Sequence, residues 1–334
     1  MSDLAYGYAN ARIRGMHAAL LGPEKYRELT VVSSVEEMTT LLEDTPYREA
    51  LVGATQRAQG IQALLSGLHA HFSLTLRKLS RTIPQKAQSL FEIAVAEWDV
   101  QDVKTAVSKK FLKEEWSDRE FFLASSSVKR LLEIIRNTDD TADLLDLLRI
   151  HGYSDAVSLF RKSGAKPDDL SALLSALDES LYLRFRNTLK DHKTEANTRK
   201  LLAERLELTN TLLVLRLKNH VPSEKILEKL VVAPSRNVRK LLDAKDLSLA
   251  IGTLELPEET LALFEKTGAL SSIELALEKR FVTKALFRLR FSVLSFGTVL
   301  GFLYLQSAEI TQLKRLALGK YFGMGEEMKQ TAYW

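Results

Sequence analysis

A short motif that occurs three times constrains the fold of this chain more than any other feature. Each copy opens with an acidic residue and then an apolar one, has Asp, Asn or Gln three positions after the acid, and has a lysine eleven positions after it. The three copies are Asp99, Asp102 and Lys110; Glu207, Asn210 and Lys218; and Glu309, Gln312 and Lys320. The acids lie 108 and 102 positions apart. The spacing therefore predicts one unit of about a hundred residues in triplicate across the 334 residues, which favours a structure with an axis and a role in assembly over chemistry.

A second marker supports the repeat in the first two units. Leu41 and Tyr47 correspond to Leu147 and Tyr153, each pair at an offset of 106 positions. In the third unit no tyrosine near Ala250 completes the pattern. Two independent markers at nearly the same offset indicate a true internal repeat.

Composition predicts an all-α protein of several domains. Glycine and proline are sparse, at 15 and 7 of 334 residues, and helical periodicity dominates the apolar pattern. Candidate boundaries lie near 125–127 and 233–235, where small and polar residues interrupt that pattern. We predict three similar helical domains, at residues 1–122, 123–232 and 233–334.

Placed on a helix, the motif separates into a core face and a charged edge. Positions one, four and eight after the acid form a single apolar stripe, which predicts these core residues: Val100, Val103 and Val107; Leu208, Thr211 and Leu215; Ile310, Leu313 and Ala317. The acid and the lysine lie about 16 Å apart along the helix and cannot pair with each other. Contact with a neighbouring helix, or simply solvent, is favoured over contact with a partner protein.

The sequence contains no recognisable catalytic, cofactor or metal motif. Phosphate-binding loops, dinucleotide fingerprints, zinc-protease helices and serine-nucleophile elbows are all missing, and there are no cysteines. His69 and His71 are two positions apart, so they point to different sides of a helix and cannot chelate a metal together. We therefore predict a non-catalytic protein without a cofactor or bound metal.

One uncharged run has the length of either a short membrane span or a buried helix. Residues 291–308 carry no charge, but the run contains several polar residues and has no second span to accompany it. A buried helix is the favoured interpretation. Gly297 and Gly301 within it favour the close approach of two helices in a soluble bundle over dimerisation in a membrane.

The charge balance is mildly basic, with a formal net charge of +4 and a pI near 9.0. This is too small to indicate nucleic acid as a partner. Arg280, Lys284 and Arg288 are spaced by four and form a positive stripe on a helix. The stripe is either a solvated face or a contact for an anionic partner, such as lipid headgroups or acidic protein loops.

Several segments together resemble one family, the C subunits of the archaeal and bacterial A-type/V-type ATPases, which are the counterparts of the eukaryotic V-type d subunits. The segment 8–16 resembles the N-terminal signature of that family, through Tyr8, Asn10, Arg12 and Arg14. Segments 98–105, 215–218 and 303–323 resemble its internal and C-terminal motifs, so the resemblance covers the whole chain. The family commonly has Asn where this chain has Asp102 and Gln312.

The resemblance implies three similar helical domains around a pseudo-threefold axis, in a funnel with a central socket. It implies a non-catalytic adaptor on the cytoplasmic face of the membrane, between the central shaft of the catalytic head and the proteolipid ring. Such an adaptor couples ATP synthesis or hydrolysis to proton or sodium transport, and it associates with the membrane through the complex, without a transmembrane helix. We expect the basic stripe to face the ring or lipid.

Two other classes of function compete with the adaptor. A soluble helical-repeat scaffold for protein–protein interaction is disfavoured because common helical repeats are only about 34 to 47 residues long. An enzyme with a novel site is disfavoured because the catalytic motifs are missing.

Overall fold

A computed structural model describes residues 6–122, 125–138, 141–191, 195–292 and 294–324. In these ranges the regular secondary structure is entirely helical, which confirms the all-α prediction. The α-helices in chain order are α1 Gly7–Ala18, α2 Pro23–Val31, α3 Val35–Glu43, α4 Arg48–Thr55, α5 Gly60–Ser80, α6 Gln88–Phe111, α7 Ser126–Arg136, α8 Thr141–Leu148, α9 Ser154–Lys162, α10 Leu170–Lys190, α11 Ala196–Leu217, α12 Ser223–Glu228, α13 Arg236–Asp243, α14 Leu247–Gly252, α15 Glu258–Thr267, α16 Leu270–Phe291 and α17 Phe296–Tyr321. Short 3₁₀ turns at Gln85–Ala87 and Asp118–Glu120 and a π turn at Arg149–Tyr153 complete the set.

The chain divides into two compact units. The first comprises the described residues up to Arg184 together with those from Gln306 onward, and the second comprises Phe185–Leu305. The first unit thus combines the N-terminal helices with the C-terminal half of α17. The predicted three-part division at 122/123 and 232/233 stays a prediction.

The three motif copies lie on the long helices α6, α11 and α17, of 24, 22 and 26 residues, with Lys218 at the C-cap of α11. All nine residues of the predicted apolar stripe are buried, with at most 7% of any of them exposed. The helical placement of the motif and its core face are therefore confirmed. Each of these long helices is held in its unit by burial of that stripe, because apolar burial is the main favourable term in folding.

The uncharged run 291–308 forms the end of α16, a short connection and the first half of α17. From Phe296 onward its large apolar side chains are buried, and no helix in the described part of the chain is long and apolar enough to cross a membrane. Within the second unit, a methyl group added at Gly301 would lie 2.8 Å from the carbonyl oxygen of Ala285. The glycine thus permits close approach of α16 and α17, which confirms the preference for a buried helix and tight packing.

Hydroxyl and carboxylate caps fix the starts of four short helices. Ser34, Ser125, Ser235 and Asp246 each accept a hydrogen bond from a backbone N–H in the first turn of α3, α7, α13 and α14. Such a cap typically contributes about 1 kcal/mol. The caps therefore define where these four helices begin.

Candidate functional site: three helix clasps

Each motif copy holds one short helix by both of its ends. We call this arrangement a clasp, and the held helix the clasped helix. The clasped helices are α7 for the motif on α6, α13 for the motif on α11, and α2 for the motif on α17. In every case the acid contacts the start of the clasped helix and the lysine contacts its end.

The acid accepts a hydrogen bond at or just before the N-cap. The bonds are Ser125 N to Asp99 Oδ1 at 3.0 Å, Ser235 Oγ to Glu207 Oε1 at 2.9 Å and Leu21 N to Glu309 Oε2 at 2.8 Å. The first backbone N–H groups of a helix lack intrahelical partners and carry partial positive charge. A carboxylate at this position therefore stabilises the start of the clasped helix.

The lysine donates to carbonyl oxygens at the other end. The bonds are Lys110 Nζ to Arg136 O at 3.0 Å, Lys218 Nζ to Leu242 O at 2.5 Å and Lys320 Nζ to Thr30 O at 3.1 Å, with a further bond from Lys320 to Val32 O. A cation at a helix C-terminus satisfies orphan carbonyls and complements the helix dipole.

The length of the clasped helix explains the spacing of the motif. Eleven residues of a motif helix span about 16 Å. The clasped helices contain 11, 8 and 9 residues, which corresponds to about 12 to 16 Å at the same rise. A parallel helix of this length fits between the acid and the lysine, so the two charges do not pair with each other and contact a neighbouring helix instead.

The middle residue of the motif differs most among the copies. Asp102 accepts from Phe122 N at 2.9 Å. Asn210 accepts from Val231 N at 2.9 Å and donates to Val232 O at 3.1 Å, so it holds the connection before α13 by two bonds. Gln312 is fully buried, and neither of its polar side-chain atoms has a hydrogen-bond partner within the described residues.

A tyrosine accompanies the acid in two of the clasps. Tyr47 is buried and donates to Glu309 Oε1 at 2.8 Å. Tyr153, its counterpart at the offset of 106, lines a cavity of about 660 Å³ with Asp99, and the negative charge of Asp99 helps to raise the pKa of Tyr153 after burial itself. Glu207 is held by Ser235 and by Asn237 Nδ2 at 3.4 Å. Glu207 is thus held by a hydroxyl and an amide group, whereas Glu309 is held by a tyrosine hydroxyl and a backbone N–H.

Burial gives two of the acids unusual titration. Burial raises the pKa of Glu309 from its ordinary 4.5 to about 7, although the hydrogen bonds from Tyr47 and Leu21 act in the opposite direction. Burial likewise raises the pKa of Asp99 to about 6, against the hydrogen bonds from Ser125 and the charge of Arg184. Burial of Asp99 and Glu309 therefore opposes their ionisation, and the hydrogen bonds that they accept offset only part of this effect.

The clasps follow a cyclic order with respect to the predicted repeats. The motif of the first repeat clasps a helix of the second, and the motif of the second repeat clasps a helix of the third. The motif of the third repeat clasps α2 in the first repeat, so its partners lie up to 290 positions away. The predicted boundaries 122/123 and 232/233 each fall between a motif helix and the helix that it clasps.

The other predicted residues lie at separate places. In the N-terminal signature, Asn10 is buried, Arg14 is exposed, and Arg12 Nη1 donates to the hydroxyl of the exposed Tyr8 at 3.0 Å.

The basic stripe on α16 is partly used inside the second unit. Arg280 Nη1 donates to Leu254 O at 2.9 Å, and Arg288 lies 3.4 Å from Glu204. Lys284 is exposed. That the stripe faces a ring or lipid stays a prediction.

Sequence reasoning missed the partners of the motif. Tyr47 and Tyr153 mark the repeat, but their offset alone gives no reason to place them beside an acid. The backbone groups that the motif binds carry no side-chain signature, so a sequence cannot identify them directly. The N-cap serines Ser125 and Ser235, which follow their acids by 26 and 28 positions, are the available signal.

Comparison with known proteins gives one consistent result. Residues 9–331 match the model of the family described as ATP synthase (C/AC39) subunit. The chain is 25% identical over 326 residues to the C subunit of the A-type ATP synthase of Pyrococcus horikoshii, with 93% of this chain and 85% of the relative covered. It is 24% identical over 339 residues to that of Methanocaldococcus jannaschii, with coverages of 95% and 84%, and 22% identical over 326 residues to that of Pyrococcus abyssi, with coverages of 93% and 85%.

Proposed function

Because the chain belongs to the family of ATP synthase (C/AC39) subunits, we propose that it is the non-catalytic central-rotor adaptor of a rotary A/V-type ATPase. In this role it links the central shaft of the catalytic head to the proteolipid ring in the membrane. It thereby couples ATP synthesis or hydrolysis to proton or sodium transport. It acts at the cytoplasmic face of the membrane as a peripheral protein.

The cyclic order of the three clasps is the observation that carries this proposal. On the predicted boundaries, the motif helix of each repeat holds a helix of the next repeat, and that of the third holds a helix of the first. This order is compatible with the proposed arrangement of three similar helical domains around a pseudo-threefold axis, in which a central socket would receive the shaft.

The mechanical demand on an adaptor also agrees with the clasps. Torque is transmitted only if the elements between shaft and ring do not yield, and close-packed interiors have low compressibility. Segments with few buried contacts open at low free energy. A short helix that is bonded at both ends by a long, buried helix is protected against such local opening.

Depletion and add-back in membrane vesicles test the proposal. Removal of the chain should abolish ATP-driven ion pumping while ATP hydrolysis by the catalytic head continues, and the purified chain should restore pumping. As a control, the surface variant Lys245→Glu, which changes an exposed residue outside the clasps, should restore pumping equally well. Pumping that persists after complete depletion would refute the adaptor role.

Affinity capture from membranes in mild detergent gives a second, independent test. A tagged chain should recover both the proteolipid ring and the central-shaft subunits. Recovery of a soluble partner alone would favour the helical-repeat scaffold, and turnover of a substrate by the isolated chain would favour an enzyme.

A further inference from the structure

Two exposed phenylalanines on α16 form a feature that the clasps do not use. Phe287 and Phe291 are one helical turn apart, their side chains are 51% and 67% exposed, and their ring centroids lie 4.5 Å from each other. Single exposed apolar residues are ordinary on protein surfaces. A pair of aromatic rings in contact on one helix forms a larger exposed apolar surface. Exposed apolar surfaces of this kind commonly mark a site of interaction with another molecule.

The same end of α16 is strongly basic. Five basic residues and no acidic residue lie between Glu278 and Ser292: Lys279, Arg280, Lys284, Arg288 and Arg290. Arg280 and Arg288 have partners inside the second unit, whereas Lys284 and Arg290 are exposed.

The exposed basic and aromatic residues share one face of the helix. At 100° per residue, Lys284, Phe287 and Phe291 lie within about 60° of arc, and Arg290 extends that arc to about 120°. We call these four residues the basic-aromatic face. The arrangement differs from the predicted stripe, because Arg288 pairs with Glu204 and its guanidinium lies over the ring of Phe287, 5.6 Å from the centroid, and the two phenylalanines take the adjoining positions.

The chemistry and the size of this face favour lipid over protein. Lysine and arginine near an anionic membrane are attracted to the headgroups, and aromatic rings settle at the level between headgroups and acyl chains. A specific protein interface usually needs about 800 Å² from each partner, formed by roughly 20 residues or more. Four residues on a convex helix are too few for that, but they are enough for a shallow contact with headgroups.

We propose that the basic-aromatic face contacts anionic lipid headgroups, with Phe287 and Phe291 inserted at headgroup level and Lys284 and Arg290 beside the phosphates. This inference rests on the proposed function only in placing the chain next to a membrane. The contact orients the second unit against the bilayer, and it adds to the attachment that the other subunits provide.

Vesicle sedimentation tests the lipid contact with the full-length chain. The chain should bind vesicles of phosphatidylcholine with about 30% phosphatidylglycerol, should bind pure phosphatidylcholine much less, and should lose binding as salt increases. Phe287→Ser with Phe291→Ser should weaken binding at least about tenfold, and Lys284→Ala should weaken it about fivefold. A matched control in the same unit, Leu249→Ser with Lys245→Ala, changes an exposed apolar and an exposed basic residue and should bind like the wild type.

Affinity capture with the double phenylalanine variant separates this inference from the proposed function. If the variant loses vesicle binding but still recovers the ring and shaft subunits, both proposals are supported. If it binds vesicles like the wild type, or if the wild type does not distinguish anionic from neutral vesicles, the lipid contact is refuted. If vesicle binding is unchanged and ring recovery is lost, the face is a protein contact and the lipid inference is wrong, while the adaptor proposal stands.

Discussion

The second and third clasps use the same kinds of side chain over very different lengths of chain. In the second, every bonded pair is 21 to 30 positions apart except the short bond from Lys218 to Ser223. In the third, the bonded pairs are 262 to 290 positions apart. A loop of 288 residues costs about 2 kcal/mol more to close than one of 28, if the intervening chain is otherwise disordered. The local clasp can form early, and the long-range clasp depends on the order of nearly the whole chain.

The two clasps also differ in how well their polar groups are satisfied. Asn210 has two backbone partners, whereas Gln312 is buried without a partner in the described part of the chain. Glu309 is so deeply buried that its pKa rises to about 7. The repeat therefore preserves the geometry of the clasp, while the energetic quality of each copy varies.

Substitution of the middle residue should give the largest difference between the clasps. Asn210→Leu leaves the backbone groups of Val231 and Val232 without their partner, and we expect a loss of about 4 kcal/mol of unfolding free energy in the second unit. Gln312→Met removes polar atoms that have no described partner, so it should change the stability of the first unit by less than about 1 kcal/mol. Urea titration with hydrogen exchange at α13 and α2 measures both effects. Equal losses in the two variants would contradict the difference that we describe.

The titration of Glu309 should make the stability of the third clasp depend on pH. Since its folded pKa of about 7 lies above its ordinary 4.5, the unfolded chain releases this proton first, and stability falls as pH rises between these values. The full effect is about 3 kcal/mol. Burial lowers the pKa of the neighbouring His71 from 6.5 to about 4, and this has the opposite effect on stability. Between these two values the unfolded chain binds the proton of His71 more readily than the folded chain does, so the stability of the fold rises with pH.

The variant Glu309→Gln isolates the carboxyl from His71. The unfolding free energy of the variant minus that of the wild type should rise by about 3 kcal/mol from about pH 4 to pH 8 and change little at higher pH. Asp99→Asn in the first clasp should show a rise of similar size that is complete about one pH unit earlier, in line with the pKa of Asp99 of about 6. A difference that does not depend on pH would show that Glu309 ionises normally.

Loss of the lysines should give the smallest effects. Lys110→Met, Lys218→Met and Lys320→Met each remove a donor from the end of a clasped helix, and we expect about 1 kcal/mol per variant. Lys320→Met should be the most costly, because Lys320 serves two carbonyl groups, of Thr30 and Val32. Faster hydrogen exchange confined to the last turn of the clasped helix would support this ranking. Lys245→Met, which changes an exposed lysine outside the clasps, serves as the control.

The helical class, the repeat and the buried face of the motif could be predicted from the sequence. These depend on periodicity and on spacing, which a single chain displays directly. The contacts of Asp99 and Lys110 with the two ends of α7 could not be predicted, because backbone groups look alike in every sequence. The partners of Glu309 were harder still, since Leu21 and Tyr47 lie at the opposite end of the chain and only the tertiary fold brings them close.

The cyclic order of the clasps has a consequence for any single repeat taken alone. A fragment of about a hundred residues would contain a motif helix without the helix that it clasps. It would also contain a clasped helix without the acid and the lysine that bind its two ends. Three such fragments could satisfy one another in trans, in the manner of a domain-swapped trimer. On the predicted boundaries, peptide linkage accompanies the first and second clasps, whereas the third clasp, with its bond from Lys320 to Thr30, is held by non-covalent contacts alone.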